Sequence, residues 1–129
     1  MSSAHILLVE DDAPLRWIVG RALRGAGYGV EEAADGAQAL RSLELKAPQL
    51  IVTDVLMPQR DGVELIIQAK KIYPGLPILA VSGPGVLGGL DVLQLAQSVG
   101  ADAVLRKPFA VEQLFATVAQ LLGGPPASG

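Results

Sequence analysis

The chain has 129 residues, half of them hydrophobic, with a net charge of −3 and a pI of about 5.0. This length suits one domain with a real core, and the composition excludes an intrinsically disordered chain. The acidic balance gives no electrostatic footprint for nucleic acid, and the absence of cysteine excludes disulfides and thiolate chemistry. The first residues lack the basic start of a signal peptide, and no apolar stretch approaches the ~18 residues of a membrane span. We therefore expect a cytoplasmic domain that binds neither nucleic acid nor membrane.

Five short apolar runs alternate with segments of helical periodicity. The runs predict strands at residues 5–9, 28–33, 49–53, 77–81 and 102–106. All but the second are continuously apolar, which is typical of strands covered on both faces. The first helix is predicted to begin after Asp12, its N-cap, and to end at Gly25 or Gly27. The other predicted helices lie near residues 36–46, 62–72, 89–99 and 110–122.

This alternation predicts a doubly wound α/β fold, a parallel sheet with helices on both faces. Residues 1–122 are predicted to form one domain. Residues 123–129, with the sequence GGPPASG, have the composition of a flexible tail or the start of a linker. Ligands of such sheets bind outside the carboxyl ends of the strands, so functional residues are expected directly after the strands.

Polar side chains with complementary chemistry follow four of the five predicted strands. Acids follow the first and third strands, a hydroxyl the fourth and an ammonium the fifth: Glu10, Asp11, Asp12, Asp54, Ser82 and Lys107. Crowded carboxylates need a counterion, and Mg²⁺ typically takes one or two of them while keeping waters for a phosphate. With a lysine and a hydroxyl nearby, the set suits phosphoryl transfer, in which a carboxylate can itself be the nucleophile.

Each of these residues also has a purely structural explanation when taken alone. Asp54 could be a turn residue or an Asx cap, and the acids after the first strand could favour a helix N-terminus. Ser82 could be a turn former, and Lys107 could be a solvated surface residue. Their joint occurrence at the same edge of one sheet favours a common site.

Four segments resemble the receiver domain of two-component response regulators: ILLVEDDAPLR (6–16), IVTDVLMPQRDG (51–62), ILAVSG (78–83) and ADAVLRKPF (101–109). The resemblance implies a flavodoxin-like (βα)5 fold with strand order 2-1-3-4-5. It implies a phospho-accepting signalling switch rather than an enzyme, although one that assists its own phosphorylation and dephosphorylation. The implied phosphodonor is a histidine kinase or a histidine phosphotransfer protein. A downstream partner or a second copy would bind the face of the fourth helix, fifth strand and fifth helix.

The resemblance also implies a role for each site residue. Asp54 would be the phospho-acceptor, Ser82 the switch hydroxyl, and Lys107 the partner of the acceptor and then of the phosphate. Mg²⁺ would be bound directly by Asp11 and Asp54, by the backbone carbonyl of Leu56, and by Glu10 through water. The Lys107–Pro108 peptide bond is expected to be cis. Pro58 and Gly62 match the loop after the acceptor, and Gly83 would leave room for donors.

The chain departs from the family's pattern in two places, at Val104 and in the stretch after Ser82. Val104 occupies a position where the family often has Tyr or Phe, so a signal must travel through the Ser82 loop and the fourth helix. The stretch GPGVLGGLD (83–91) indicates a mobile loop and a late-starting helix, or simply a long connection. Its Val86, Leu87 and Leu90 could form a partner surface or cap the core edge. In the family that the chain resembles, the residues two beyond the acceptor and two beyond the switch hydroxyl gate the attacking water. Here they are Leu56 and Pro84, and their apolar side chains are expected to slow hydrolysis.

Three other functions are weighed. A haloacid-dehalogenase-like phosphatase also forms an aspartyl phosphate, but it needs an acid two residues after the nucleophile, and this position is Leu56. A flavodoxin-like electron carrier needs a hydroxyl-rich phosphate loop after the first strand, and this loop is acidic. A degenerate receiver that only binds partners would not be expected to keep the full acid, hydroxyl and lysine set.

Overall fold

The computed structural model describes residues 4–57, 61–87 and 90–124. The elements in chain order are β1 (His5–Val9), α1 (Ala13–Gly25), β2 (Gly29–Ala33), α2 (Gly36–Leu45), β3 (Leu50–Asp54), α3 (Asp61–Ile72), β4 (Ile78–Ser82), β5 (Val86–Leu87), β6 (Leu90–Asp91), α4 (Val92–Val99), β7 (Ala103–Arg106) and α5 (Val111–Leu121). None of the described helices is both long and apolar enough to cross a lipid bilayer.

Five parallel strands form the main sheet, in the order β2-β1-β3-β4-β7. Because β7 is the fifth strand of this sheet, the predicted order 2-1-3-4-5 is confirmed. The chain moves outward in one direction from β1 to β2 and in the other from β3 to β7, so the order reverses between β1 and β3. This reversal point is where open α/β sheets place their ligands.

Two hydrophobic layers cover the sheet, one on each face. Leu7 and Ile51 belong to the layer that includes α2, α3 and α4, whereas Ile6 and Leu50 belong to the layer with α1 and α5. Successive side chains of a strand point to opposite faces, and here both faces are apolar. The continuous apolar runs in the sequence therefore have the predicted structural cause.

Helices α1 and α2 begin at side-chain caps. Asp12 caps α1 as predicted, because its Oδ1 accepts a hydrogen bond from the Leu15 amide at 3.0 Å. Asp35 caps α2 in the same way, accepting from the Gln38 amide at 2.8 Å. Such caps satisfy amides that have no partner within the helix. The Asp12 cap also sets where the loop between β1 and α1 ends.

The start of α4 differs from the prediction of a helix near residues 89–99. The helix begins at Val92, with Asp91 as its N-cap, and β5 and β6 form a short antiparallel pair before it. The predicted late start of this helix is confirmed, but the strand pair was not predicted. Within α4, Val92, Leu93 and Ala96 are buried.

Several predictions fall outside the described residues. The side chains of Val86, Leu87 and Leu90 are among these, so the partner surface predicted there stays a prediction. Pro58 and residues 125–129 of the predicted tail also lie outside the described part of the chain.

Candidate functional site

The acidic residues predicted after β1 and β3 come together at the reversal point of the sheet. Val9 of β1 is in register with Thr53 of β3, so the next residues, Glu10 and Asp54, lie side by side. Carboxylate oxygens of Glu10, Asp11 and Asp54 all lie within 4.8 Å of one another. Glu10 and Asp54 are buried, whereas Asp11 is exposed at the mouth of the site.

Both oxygens of the Asp54 carboxylate are hydrogen-bonded from different sides. Oδ1 accepts from the Leu56 amide at 3.1 Å, and Oδ2 accepts from Lys107 Nζ at 3.2 Å. The buried Thr53 hydroxyl donates to the Asp54 carbonyl at 2.9 Å. The carboxylate is 7% exposed, so it is held in one orientation while one edge stays accessible.

Lys107 bridges the two buried acids. Its Nζ donates to Glu10 Oε1 at 2.8 Å, which is shorter than its contact with Asp54. Its amide donates to the Ser82 carbonyl at 2.8 Å, and the Lys107–Pro108 bond is cis, as predicted. Burial lowers the pKa of Lys107, but the hydrogen bond to Glu10 and the charges of Asp54 and Glu10 outweigh it and raise the pKa above its ordinary value. The lysine therefore stays charged at neutral pH.

The site has more negative than positive charge. Burial raises the pKa of Glu10, against the opposing effect of Lys107. The pKa of Asp11 is also raised, first by burial and then by the neighbouring Glu10. Three clustered carboxylates with one shared ammonium form the oxygen-rich donor set that a hard divalent cation prefers. The residues present therefore fit Mg²⁺.

Ser82 completes the site on the neighbouring strand β4. Asp54 is in register with Val81, so Ser82 lies one position further along β4. The side chain is fully buried, and its Oγ has no hydrogen-bond partner among the described residues. Burying a hydroxyl without a hydrogen-bond partner costs folding free energy. This favours a ligand that brings a hydrogen-bond acceptor next to Ser82.

Sequence reasoning missed two residues that support the site, Thr53 and Arg16. Arg16 Nη1 donates to the Glu10 carbonyl at 2.7 Å. One sequence signal could have drawn attention to it. Arg16 lies in the first turns of α1, where a cation opposes the helix dipole and needs a specific partner.

Comparisons with known proteins agree with this geometry. The response regulator receiver domain model matches residues 6–119. The DNA-binding transcriptional regulator NtrC of Escherichia coli K12 is 34% identical over 118 residues, which cover 92% of this chain and 24% of NtrC. Response regulator MprA of Mycobacterium tuberculosis H37Rv is 39% identical over 124 residues, which cover 93% of this chain and 51% of MprA. The chain thus spans about a quarter to a half of these relatives.

Solved structures of similar length share the fold. The CheY-like receiver domain protein of Methanospirillum hungatei JF-1 superposes with a TM-score of 0.85 at 29% identity, covering 93% of this chain and 94% of that one. The chemotaxis protein CheY4 of Vibrio cholerae gives a TM-score of 0.81 at 34% identity, covering 92% and 98%. With the family match over residues 6–119, these findings show that the chain belongs to the response regulator receiver domain family.

Proposed function

We propose that Asp54 is the phospho-acceptor of a two-component signalling switch. The observation that carries the proposal is the arrangement around its carboxylate. One oxygen is held by the Leu56 amide at 3.1 Å and the other by Lys107 at 3.2 Å, beside two further acids. These contacts orient a nucleophile that would otherwise be mobile, which is a large part of what phosphoryl transfer requires.

In the proposed reaction a carboxylate oxygen of Asp54 attacks the phosphorus of the donor. The new P–O bond forms as the bond to the leaving group breaks, and the leaving group keeps the electron pair. Lys107 turns from Asp54 to a phosphoryl oxygen and balances its charge. Hydrolysis later breaks the same P–O bond, returning the Asp54 carboxylate and inorganic phosphate.

The metal ligands in this proposal are carboxylates from β3 and from the loop after β1. Asp11 and Asp54 would hold Mg²⁺ directly, with the Leu56 backbone carbonyl as a third protein ligand and Glu10 acting through water. The cluster of three carboxylates supports this assignment. When bound, the ion supplies positive charge against the negative charge of the phosphoryl oxygens.

The output would begin at Ser82. Its buried hydroxyl can donate to a phosphoryl oxygen, and this movement would pull the loop between β4 and α4. Val104 on β7 offers no aromatic ring to reorient, so the change would pass to α4 through this loop. A downstream partner or a second copy would then read the face formed by α4, β7 and α5.

The phosphodonor would be a histidine kinase or a histidine phosphotransfer protein in the cytoplasm. The sequence contains one histidine, His5, at the start of β1. Asp54 is the last residue of β3, at the opposite edge of the sheet, roughly 16 Å away for strands of this length. His5 therefore cannot pass a phosphoryl group to Asp54 within the chain. We place this activity in residues 1–122, with residues 123–129 as tail or linker.

The test is labelling with acetyl phosphate and Mg²⁺. Wild type is expected to gain one acid-stable, base-labile phosphoryl group, and Asp54→Asn is expected to gain none. Intact-protein mass spectrometry measures both, and a purified histidine kinase can replace acetyl phosphate to test the protein donor. Full labelling of Asp54→Asn at another residue would refute the assignment.

A phosphatase of the haloacid-dehalogenase type remains disfavoured. It needs an acid two residues after the nucleophile to protonate the leaving group. Leu56 occupies this position and gives only its amide to Asp54.

A further inference from the structure

Arg16 of α1 holds the backbone of the loop between β1 and α1. Its Nη1 donates to the carbonyl oxygen of Glu10 at 2.7 Å, the shortest contact it makes in the described part of the chain. The side chain is 19% exposed, so it lies along the protein rather than in solvent. The loop it holds carries both Glu10 and Asp11.

The edge strand β2 sets the direction of this arginine. Glu32 Oε1 lies 3.4 Å from Arg16 Nε, and Glu32 Oε2 lies 2.9 Å from Arg24 Nη1. Gly20 leaves space for this carboxylate, because a Cβ at position 20 would lie 3.0 Å from Glu32 Oε2. The two oxygens of Glu32 thus bind two arginines that lie on the same face of α1, about two turns apart. Of the two, only Arg16 also binds the loop after β1.

The contact fixes the peptide group from which Asp11 projects. The Glu10 amide donates a hydrogen bond to the Ala33 carbonyl at 3.1 Å, and the Glu10 carbonyl accepts one from Arg16. The backbone amide and the backbone carbonyl of Glu10 are therefore both hydrogen-bonded. Because a peptide group is planar, a fixed Glu10 carbonyl also fixes the amide and Cα of Asp11. Asp11 is exposed, and its direction into the metal site therefore depends on this backbone.

We propose that Arg16 is a positioning residue for the metal site, which presets Asp11 through the Glu10–Asp11 peptide group under the control of Glu32. The proposal rests on the proposed function, because Asp11 matters only if it holds the metal. Partners that orient metal ligands without touching the metal typically change its affinity 10- to 100-fold when they are removed.

The test is isothermal titration calorimetry of the metal-free protein with Mg²⁺. Arg16→Gln is expected to raise the Kd about tenfold. Arg24→Gln is the matched control, since it removes the other arginine bound to Glu32 but no contact with the loop, and its Kd is expected to stay within about twofold of wild type. Labelling with acetyl phosphate adds a kinetic readout. In Arg16→Gln the half-saturating Mg²⁺ concentration is expected to rise about tenfold while the rate at saturating Mg²⁺ stays within about twofold.

A Kd for Arg16→Gln within about twofold of wild type would overturn the proposal, and so would an equal loss of affinity in Arg24→Gln. If Arg16→Gln does not fold, Glu32→Gln decides in its place. This variant keeps Arg16 but removes the charge of the carboxylate that orients it. Its Kd for Mg²⁺ is expected to rise at least about threefold, and an unchanged Kd overturns the proposal. Asp54→Asn distinguishes failure of the acceptor assignment from failure of the Arg16 proposal. If that variant labels like wild type, the acceptor assignment fails whatever Arg16 does, and if only the Arg16 result is negative, the acceptor assignment stands.

Discussion

Leu56 is an apolar side chain at the mouth of a charged site. Its amide binds Asp54, and its side chain is 38% exposed and reaches over the loop after β4. Gly85 of this loop allows the close approach, because a Cβ at position 85 would lie 2.8 Å from Leu56 Cδ1. The Leu56 side chain is apolar, so it cannot hydrogen-bond a water molecule beside the Asp54 carboxylate.

We predict that Leu56→Asn speeds dephosphorylation by about tenfold, which corresponds to ~1.4 kcal/mol in the barrier. The amide side chain would supply a group that positions water, and removing the branched side chain would open the approach. The measurement is the decay of phosphorylated protein with time by mass spectrometry. Leu45→Asn is the control, since Leu45 is 88% exposed at the end of α2, away from the strand ends that form the site. Equal decay in wild type and Leu56→Asn would show that residue 56 is not the gate.

The placement of the candidate site residues next to one another could be predicted where chemistry and position coincide. Glu10, Asp54 and Lys107 are charged residues directly after predicted strands. Charged side chains are rarely buried unless they are paired, so their position next to the core indicates that they interact. Arg16 and Thr53 were missed because their effect passes through backbone atoms. A hydrogen bond to a carbonyl depends on side-chain direction within a helix turn, and the spacing of residues does not reveal it.

At the scale of elements, α3 approaches the end of β3 too closely for a side chain. A Cβ at Gly62 would lie 2.4 Å from the Asp54 carbonyl and 2.5 Å from Val55 Cα. Both are backbone atoms, so neither can rotate away. The first turn of α3 therefore lies directly against the end of β3 that carries Asp54.

We predict that Gly62→Ala lowers the free energy of unfolding by about 1–3 kcal/mol, the usual cost of overpacking. Gly25→Ala is the matched control, because nothing lies within 4 Å of a Cβ there. That change is expected to be neutral or to stabilise by up to about 1 kcal/mol through the unfolded state. Urea denaturation of both variants measures the difference. An equal effect of the two substitutions would mean that α3 can shift without cost.

The sequence predicts elements best where hydrophobic periodicity is strong. All five strands of the main sheet lie within one residue of their predicted starts, and four of the five are continuous apolar runs between polar segments. The start of α4 was placed near residue 89 instead of 92. Glycines in residues 83–89 interrupt the pattern, and the pairing of β5 with β6 depends on backbone contacts that no local period encodes.

At the scale of the whole molecule, the acidic cluster of Glu10, Asp11 and Asp54 opposes folding when its carboxylates are ionised. Glu10 and Asp11 both have raised pKa values, chiefly because burial disfavours their charged forms. The folded state therefore holds these protons more tightly than the unfolded chain. This stabilisation is fully present below the ordinary pKa values of 3.8 for Asp11 and 4.5 for Glu10, and it is lost as pH rises through the raised folded values.

Asp11→Asn removes one of these charges, and we predict a stability difference that changes sign with Mg²⁺. Without metal at pH 7, the variant should be more stable than wild type by less than about 1 kcal/mol, since the exposed carboxylate is screened by solvent. The difference should vanish below the ordinary Asp11 pKa of 3.8, where the carboxyl group is protonated in both the folded and the unfolded state. At 100 times the Kd, Mg²⁺ should stabilise wild type by about 2.7 kcal/mol and the variant less, because binding to the folded state alone shifts the unfolding equilibrium. Urea denaturation with EDTA or Mg²⁺ measures each value.

Asp12→Asn is the control, because it keeps an N-cap and removes a neighbouring charge outside the cluster. Equal stabilisation of wild type and Asp11→Asn by Mg²⁺ would show that the acids after β1 serve only the start of α1.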